Sequence, residues 1–167
     1  MALDALAARA RGVRGREEQG AWVVEAELGD ERVLLVKPLS FMNRSGEPVS
    51  ALLAARDGGP QDLVVVVDDA ALDLGVLRVR ERGSHGGHNG LRSVIDVLGT
   101  DEFPRVRVGI RKGELPPDLA DYVLSDFPPE DVLVVQEAVG WAADAVDCVI
   151  REGVVPAMNR FNGPRKA

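Results

Sequence analysis

The chain has 167 residues, of which 46% are hydrophobic and 28% charged, with a formal net charge of −7 and one cysteine, Cys148. That size and balance fit one soluble globular domain with a real core, and the negative charge argues against broad, non-specific nucleic-acid binding, which depends on a basic surface. One cysteine excludes an internal disulfide or a cysteine-based metal cluster, and apolar runs as short as LVVVV from Leu63 fall far below a bilayer-spanning length.

The opening MALDALAARARG lacks the apolar core and cleavage site of a secretion signal, so the expected compartment is the cytoplasm. Residues 2–11 carry apolar residues at helical spacing, with Gly12 as a stop. AWVVEAEL (21–28) and RVLLVKP (32–38) read as a β-hairpin across GDE. GEPVSALLAARDG (46–58) reads as a helix with Pro48 in its first turn. The β-branched run DLVVVVDD (62–69) has the pattern of a strand buried on both faces and is the natural centre of a sheet. GVLRVRER (75–82) and PRVRVGI (104–110) alternate like half-exposed strands. Between them HNGLRSVIDVLG (88–99) reads as a helix with Leu91, Val94, Ile95 and Leu98 on one face. A short helix over 117–125 and a long one over 128–153, begun by prolines and acids, complete the chain. The expected class is α/β, a single domain over 1–167 with a twisted mixed β-sheet surrounded by helices.

Three segments carry chemistry. RERGSHGGHNGLRS (80–93) holds both histidines and four glycines. Its spacing fits neither a dinucleotide-binding fingerprint nor a Walker loop. Glycines around His88-Asn89 permit a sharp turn and close approach at a helix start, where free N–H groups favour carbonyl or anionic oxygens. Asn89 as an ordinary helix cap explains the same residues. His85 and His88 have the spacing of half a metal site, but no further histidine or suitable cysteine completes it, so no metal is expected. In VVVVDDAALDLG, Asp68 and Asp69 stand at the end of the expected central strand, where ligands of open α/β sheets bind, and a carboxylate there can orient a histidine base. In KPLSFMNRSG, Phe41 and Asn43 precede a helix. Asparagine offers a donor and an acceptor for a substrate amide or a water, and a turn asparagine explains it equally. Cations gather mid-chain at Arg78, Arg80, Arg82, Arg92, Arg105, Arg107, Arg111 and Lys112; solvated strand faces are the simple explanation.

Taken in order, FMNRSG, VVDDAALDLG, GSHGGHNGLRSV, FPRVRVGI, DYVLSDF and AMNRFNG resemble bacterial peptidyl-tRNA hydrolase across essentially the whole chain. The resemblance implies a monomeric, cytoplasmic esterase without cofactor, which cleaves the ester between a peptide and the terminal ribose of tRNA. By position it makes Asp68 the acid that orients the catalytic histidine. Asn43 and Asn89 become asparagines contacting the peptide–tRNA end, Phe41 a cleft-lining residue, and Arg80 and Arg107 cations on the tRNA 5′-phosphate. His88 resembles a histidine beside that asparagine, not the general base. The family pattern also implies a first strand and an arginine–histidine–asparagine motif before the opening helix, and the sequence contains neither. The expectation is therefore a hydrolase read from a downstream start or shortened, with little turnover as written. An inactive tRNA-binding relative and a non-functional fragment are the alternatives.

Overall fold

The strands assemble into two three-stranded sheets instead of one. A computed structural model describes residues 1–116 and 118–162. Pro117, which begins the expected 117–125 helix, and Gly163, which ends the AMNRFNG string, lie outside them. The chain runs α1 (Ala2–Arg9), β1 (Arg11–Glu18), β2 (Ala21–Leu28), β3 (Glu31–Pro38), α2 (Gly46–Ala54), β4 (Val65–Asp73), β5 (Leu77–Arg80), α3 (Asn89–Leu98), β6 (Arg105–Arg111), α4 (Leu119–Leu124), α5 (Val132–Glu152) and α6 (Val154–Phe161). One sheet is antiparallel, in the order β1-β2-β3. The other is mixed, in the order β4-β6-β5, with β4 parallel and β5 antiparallel to β6.

The hairpin and the helix over 88–99 appear where their patterns place them; the helix expected over 2–11 ends at Arg9, and Arg11 and Gly12, read as its end and its stop, already belong to β1. Two elements were not foreseen. Strand β1 has the sequence RGVRGREE, exposed almost throughout, so no apolar alternation announces it. Backbone pairing to β2 and the cross-strand pair of Arg16 with Glu25 at 2.8 Å hold it. Helix α6 follows directly on Gly153, read as the end of the long helix, and tolerates Pro156 within its first turn.

The position expected for β4 also needs correction. It lies at the edge of its sheet, and β6 is central. Each face of this sheet is covered. On one, Leu77, Val79 and Val106 pack with Leu6 of α1 and with Ala142, Ala145 and Val146 of α5. On the other, Val65 and Phe103 pack with Leu91 and Val94 of α3 and Val49 of α2. β4 also continues past Asp69 to Asp73, with its pairing to β6 irregular between those residues. Asp68 and Asp69 therefore mark where regular pairing stops, not where the strand stops.

At the opposite edge, β5 is closed by a side chain. The Asn162 amide donates to the Val79 carbonyl at 3.0 Å and accepts from the Val79 N–H at 2.6 Å, like one residue of a neighbouring strand. Asn162→Ala removes both bonds and is expected to lower stability by about 1–2 kcal/mol, read from urea unfolding. An unchanged midpoint would show that the β5 edge does not need this partner.

Candidate active site

The glycine loop before α3 is shaped by backbone that side chains disfavour. Gly86 and Gly87 have φ of +58° and +88°. A Cβ on Gly86 would also overlap the Arg107 guanidinium. The loop delivers His88 to the position just before α3, and His88, not Asn89, caps the helix. Its Nδ1 accepts the Leu91 N–H at 3.1 Å. An accepting Nδ1 carries no proton, so the neutral ring has its proton on Nε2, which lies 3.3 Å from Asp68 Oδ1. This bond holds the Asp68 carboxyl below the ordinary carboxylate range, against the opposing effect of burial. Both ring nitrogens of His88 are thereby engaged. His85 is engaged as well, its Nδ1 accepting the Gly87 N–H at 3.0 Å. Among the described residues no group of three or more His, Cys, Asp or Glu side chains gathers as metal ligands.

With the cap supplied by His88, Asn89 is the first residue of α3 and is exposed. Asn43 is exposed in the short turn Met42–Arg44 that precedes α2. Neither side-chain amide bonds to another described residue. The two segments meet through Met42 and Gly90: a Cβ on Gly90 would stand 2.5 Å from the Met42 sulfur. That contact lies one residue from Asn43 and one from Asn89. Phe41, 82% exposed, stands at the outer end of the turn. Thus Asp68 and His88 are bonded, Asn89 follows His88 in the chain, and the Met42–Gly90 contact brings the turn that carries Asn43 alongside.

The cations divide by environment. Arg78, Arg80, Arg105 and Arg107 project from one face of the sheet, since Arg78 pairs with Arg107 and Arg80 with Arg105 across β5 and β6. Arg80 is exposed and makes no ion pair among the described residues. Arg107 is largely buried, with Nε 3.2 Å from Asp69 Oδ2 and Nη2 donating to the His85 carbonyl at 3.2 Å. Arg105 is 1% exposed and holds three carbonyls: Phe103 at 3.1 Å, Asp101 at 2.6 Å, and Gly83. It also lies over the Phe103 ring, 4.5 Å from its centroid. The solvated-face explanation fits Arg80 and fails for Arg105 and Arg107. Asp69 was named only as the neighbour of Asp68; its place beside Arg107 follows from the register of β4 on β6, which sequence does not reveal. An open concavity of about 500 Å³ beside the loop is lined by Ser84, His85, Ile95, Gly99, Thr100, Asp101 and Glu102, and includes none of Phe41, Asn43, Asp68, Arg80, His88, Asn89 and Arg107.

The family model for peptidyl-tRNA hydrolase matches residues 1–167. The chain belongs to the peptidyl-tRNA hydrolase family. It is an ester hydrolase of that kind. It is 41% identical over 162 residues to the peptidyl-tRNA hydrolase of Alkaliphilus oremlandii, covering 97% of this chain and 87% of the relative. It is 48% identical over 146 residues to that of Brevibacillus brevis, covering 87% and 77%. The crystal structure of peptidyl-tRNA hydrolase from Acinetobacter baumannii superposes with a TM-score of 0.89 at 26% identity, over 99% of this chain and 85% of that one. The α/β fold of the family is therefore this chain's fold. The match extends over all 167 residues and gives no support to an absent first strand or to impaired activity. No helix among the described residues is long and apolar enough to cross a membrane.

Proposed function

We propose that this peptidyl-tRNA hydrolase binds the acceptor end of peptidyl-tRNA across the Met42–Gly90 contact. Asn43 and Asn89 hold the ester and the attacking water, and Phe41 flanks the peptide. Arg80 takes the 5′-phosphate, backed by Arg107, whose own charge Asp69 partly offsets. The observation that carries this reading is the pair of exposed asparagine amides, unbonded among the described residues and each one residue along the chain from one tight contact. Water adds to the ester carbonyl, and the side-chain N–H groups stabilise the oxyanion that forms. Collapse expels the ribose oxygen, which takes up a proton, leaving a free peptide carboxyl group and tRNA.

The water needs a base, and Asp68 is suited to orient a histidine in that role. His88 is not that histidine. With Nδ1 accepting from Leu91 and the proton on Nε2, its ring offers no lone pair unless the helix cap is surrendered. Asp68, its pKa held down, is a weak base. The only histidines in the 167 residues are His85 and His88. Slow hydrolysis by these 167 residues is therefore the expected result. The chain acts as a monomer: the outer strand β1 carries Arg11, Arg14, Arg16, Glu17 and Glu18, charges that oppose pairing with another strand.

Single-turnover hydrolysis of N-acetyl-aminoacyl-tRNA tests the assignment of His88. Wild type and His88→Gln are expected to cleave at similarly low rates. A fall of about a hundredfold or more in His88→Gln, the weight of a general base, would make His88 the base.

A further inference from the structure

We propose that Ser93 is a positioning residue that sets the distance between Asn43 and Asn89, and with it the fit of the cleft to the ester. The inference rests on the reading of the two asparagines given above.

The start of α2 is not capped from its own chain segment. Gly46 is its first residue, and its N–H has no acceptor within the helix. Ser45, just before it, donates its hydroxyl instead to the Met42 carbonyl at 2.8 Å and tightens the Met42–Arg44 turn. The acceptor for Gly46 comes from another helix: Ser93 Oγ of α3, 2.9 Å away in a buried contact 47 residues distant in sequence. Ser93 is itself buried. The two helices touch backbone to backbone here. A Cβ on Gly46 would overlap the Ser93 carbonyl oxygen and stand 2.6 Å from its carbonyl carbon and 3.0 Å from the Val94 nitrogen. Backbone on both sides leaves no side chain to move aside.

The turn bearing Asn43 is therefore fixed to α3 at two places. Met42 rests on Gly90, and Gly46 is bonded to Ser93, one helical turn further along α3. Asn43 lies between these anchors. Asn89 lies four residues before Ser93 on the same helix. Among the described residues the Ser93 hydroxyl makes the one side-chain hydrogen bond at an α2–α3 contact otherwise made by the close approach of Gly46 and Gly90 and by Val49 packing, and it helps set the relative position of both asparagines. Loss of the hydroxyl leaves the Gly46 N–H buried without a partner and frees α2 to shift, while Arg80, on β5, is untouched.

Two readouts test this in the 167-residue chain. The first is hydrogen exchange at the Gly46 amide, which is independent of activity. The second is the ratio of affinities for N-acetyl-aminoacyl-tRNA and deacylated tRNA, which reports on the ester and not on the shared phosphate contact. In Ser93→Ala the Gly46 amide is expected to lose protection and the ratio to fall about tenfold, the weight of one hydrogen bond. Ser93→Thr keeps the hydroxyl and is expected to keep both. A protected Gly46 amide in Ser93→Ala overturns the proposal, as does an unchanged ratio when protection is lost. Should Ser93→Ala not fold, Ser93→Thr decides alone: a lost ratio with Gly46 still protected overturns the proposal, and a retained ratio supports it. A wild type that does not distinguish the two tRNAs refutes the asparagine reading and this inference with it; the exchange data separate that result from a failure of the Ser93 contact.

Discussion

Arg105→Met is expected to cost on the order of 3–5 kcal/mol of folding stability, a large share of the roughly 5–15 kcal/mol that holds a domain of this kind. The guanidinium is buried and faces carbonyl oxygens, not a carboxylate. Its three partners come from both sides of α3: Gly83 in the loop before it, and Asp101 and Phe103 in the segment after it. One side chain thus ties together the two ends of the helix that carries Asn89. Methionine keeps the apolar packing but removes all three bonds; the Asp101 carbonyl still accepts the Phe103 N–H at 3.1 Å, so the cost falls mainly on the Gly83 and Phe103 carbonyls, at about 1–3 kcal/mol each before relaxation. Arg105→Lys restores the charge but not the planar fork, and is expected to recover only part of the loss. Thermal and urea unfolding measure both variants. A stability within about 0.5 kcal/mol of wild type for Arg105→Met, the range of an ordinary surface substitution, would show that these carbonyls find water instead.

Asn89→Ala is expected to lower the single-turnover cleavage rate of N-acetyl-aminoacyl-tRNA by about a hundredfold, the scale of removing one donor to a developing oxyanion. Stability is expected to change little. The helix is capped by His88, so the side chain of Asn89 holds up no local structure, and the residue is exposed. This separates the two roles that the sequence left open: a capping asparagine lowers the melting temperature on truncation, whereas a substrate-binding asparagine lowers turnover alone. Affinity for deacylated tRNA is expected to persist, because Arg80 is unchanged. A lower melting temperature with unchanged turnover would return Asn89 to a structural role.

The parts of the fold legible in the sequence are those whose stability comes from apolar periodicity. Leu91 and Val94 announce α3 because the face they form is the face that packs on Val65 and Phe103. Strand β1 was illegible because its hold is backbone pairing, which leaves no mark on residue type. The LVVVV run shows why β4 was misplaced. Val65 packs toward α3 and Val66 toward α5, so β-branched residues report burial of both faces and say nothing of how many edges are paired. In the candidate site, motif and position single out the asparagines and Asp68, and the structure puts Asp68 on His88 and leaves both asparagines exposed. The division of the arginines was not. Arg80, Arg105 and Arg107 alternate along their strands in the same way. Only the partners brought by folding, Asp69 for Arg107 and three carbonyls for Arg105, separate an exposed cation from two engaged ones. The tautomer of His88 was likewise out of reach, since it depends on Leu91 N–H meeting Nδ1.

The central claim is that the exposed rim of Asn43, Asn89 and Arg80 recognises the acylated end of tRNA. The dissociation constant of the 167-residue chain for N-acetyl-aminoacyl-tRNA, measured at two salt concentrations with and without the tRNA 5′-phosphate, tests it most directly. Binding is expected to be tighter than the roughly 10⁻⁴–10⁻⁶ M of non-specific association, to weaken with salt, and to weaken again when the 5′-phosphate is removed, the last effect vanishing in Arg80→Ala. Affinity confined to the non-specific range, equal with and without the phosphate, would contradict it.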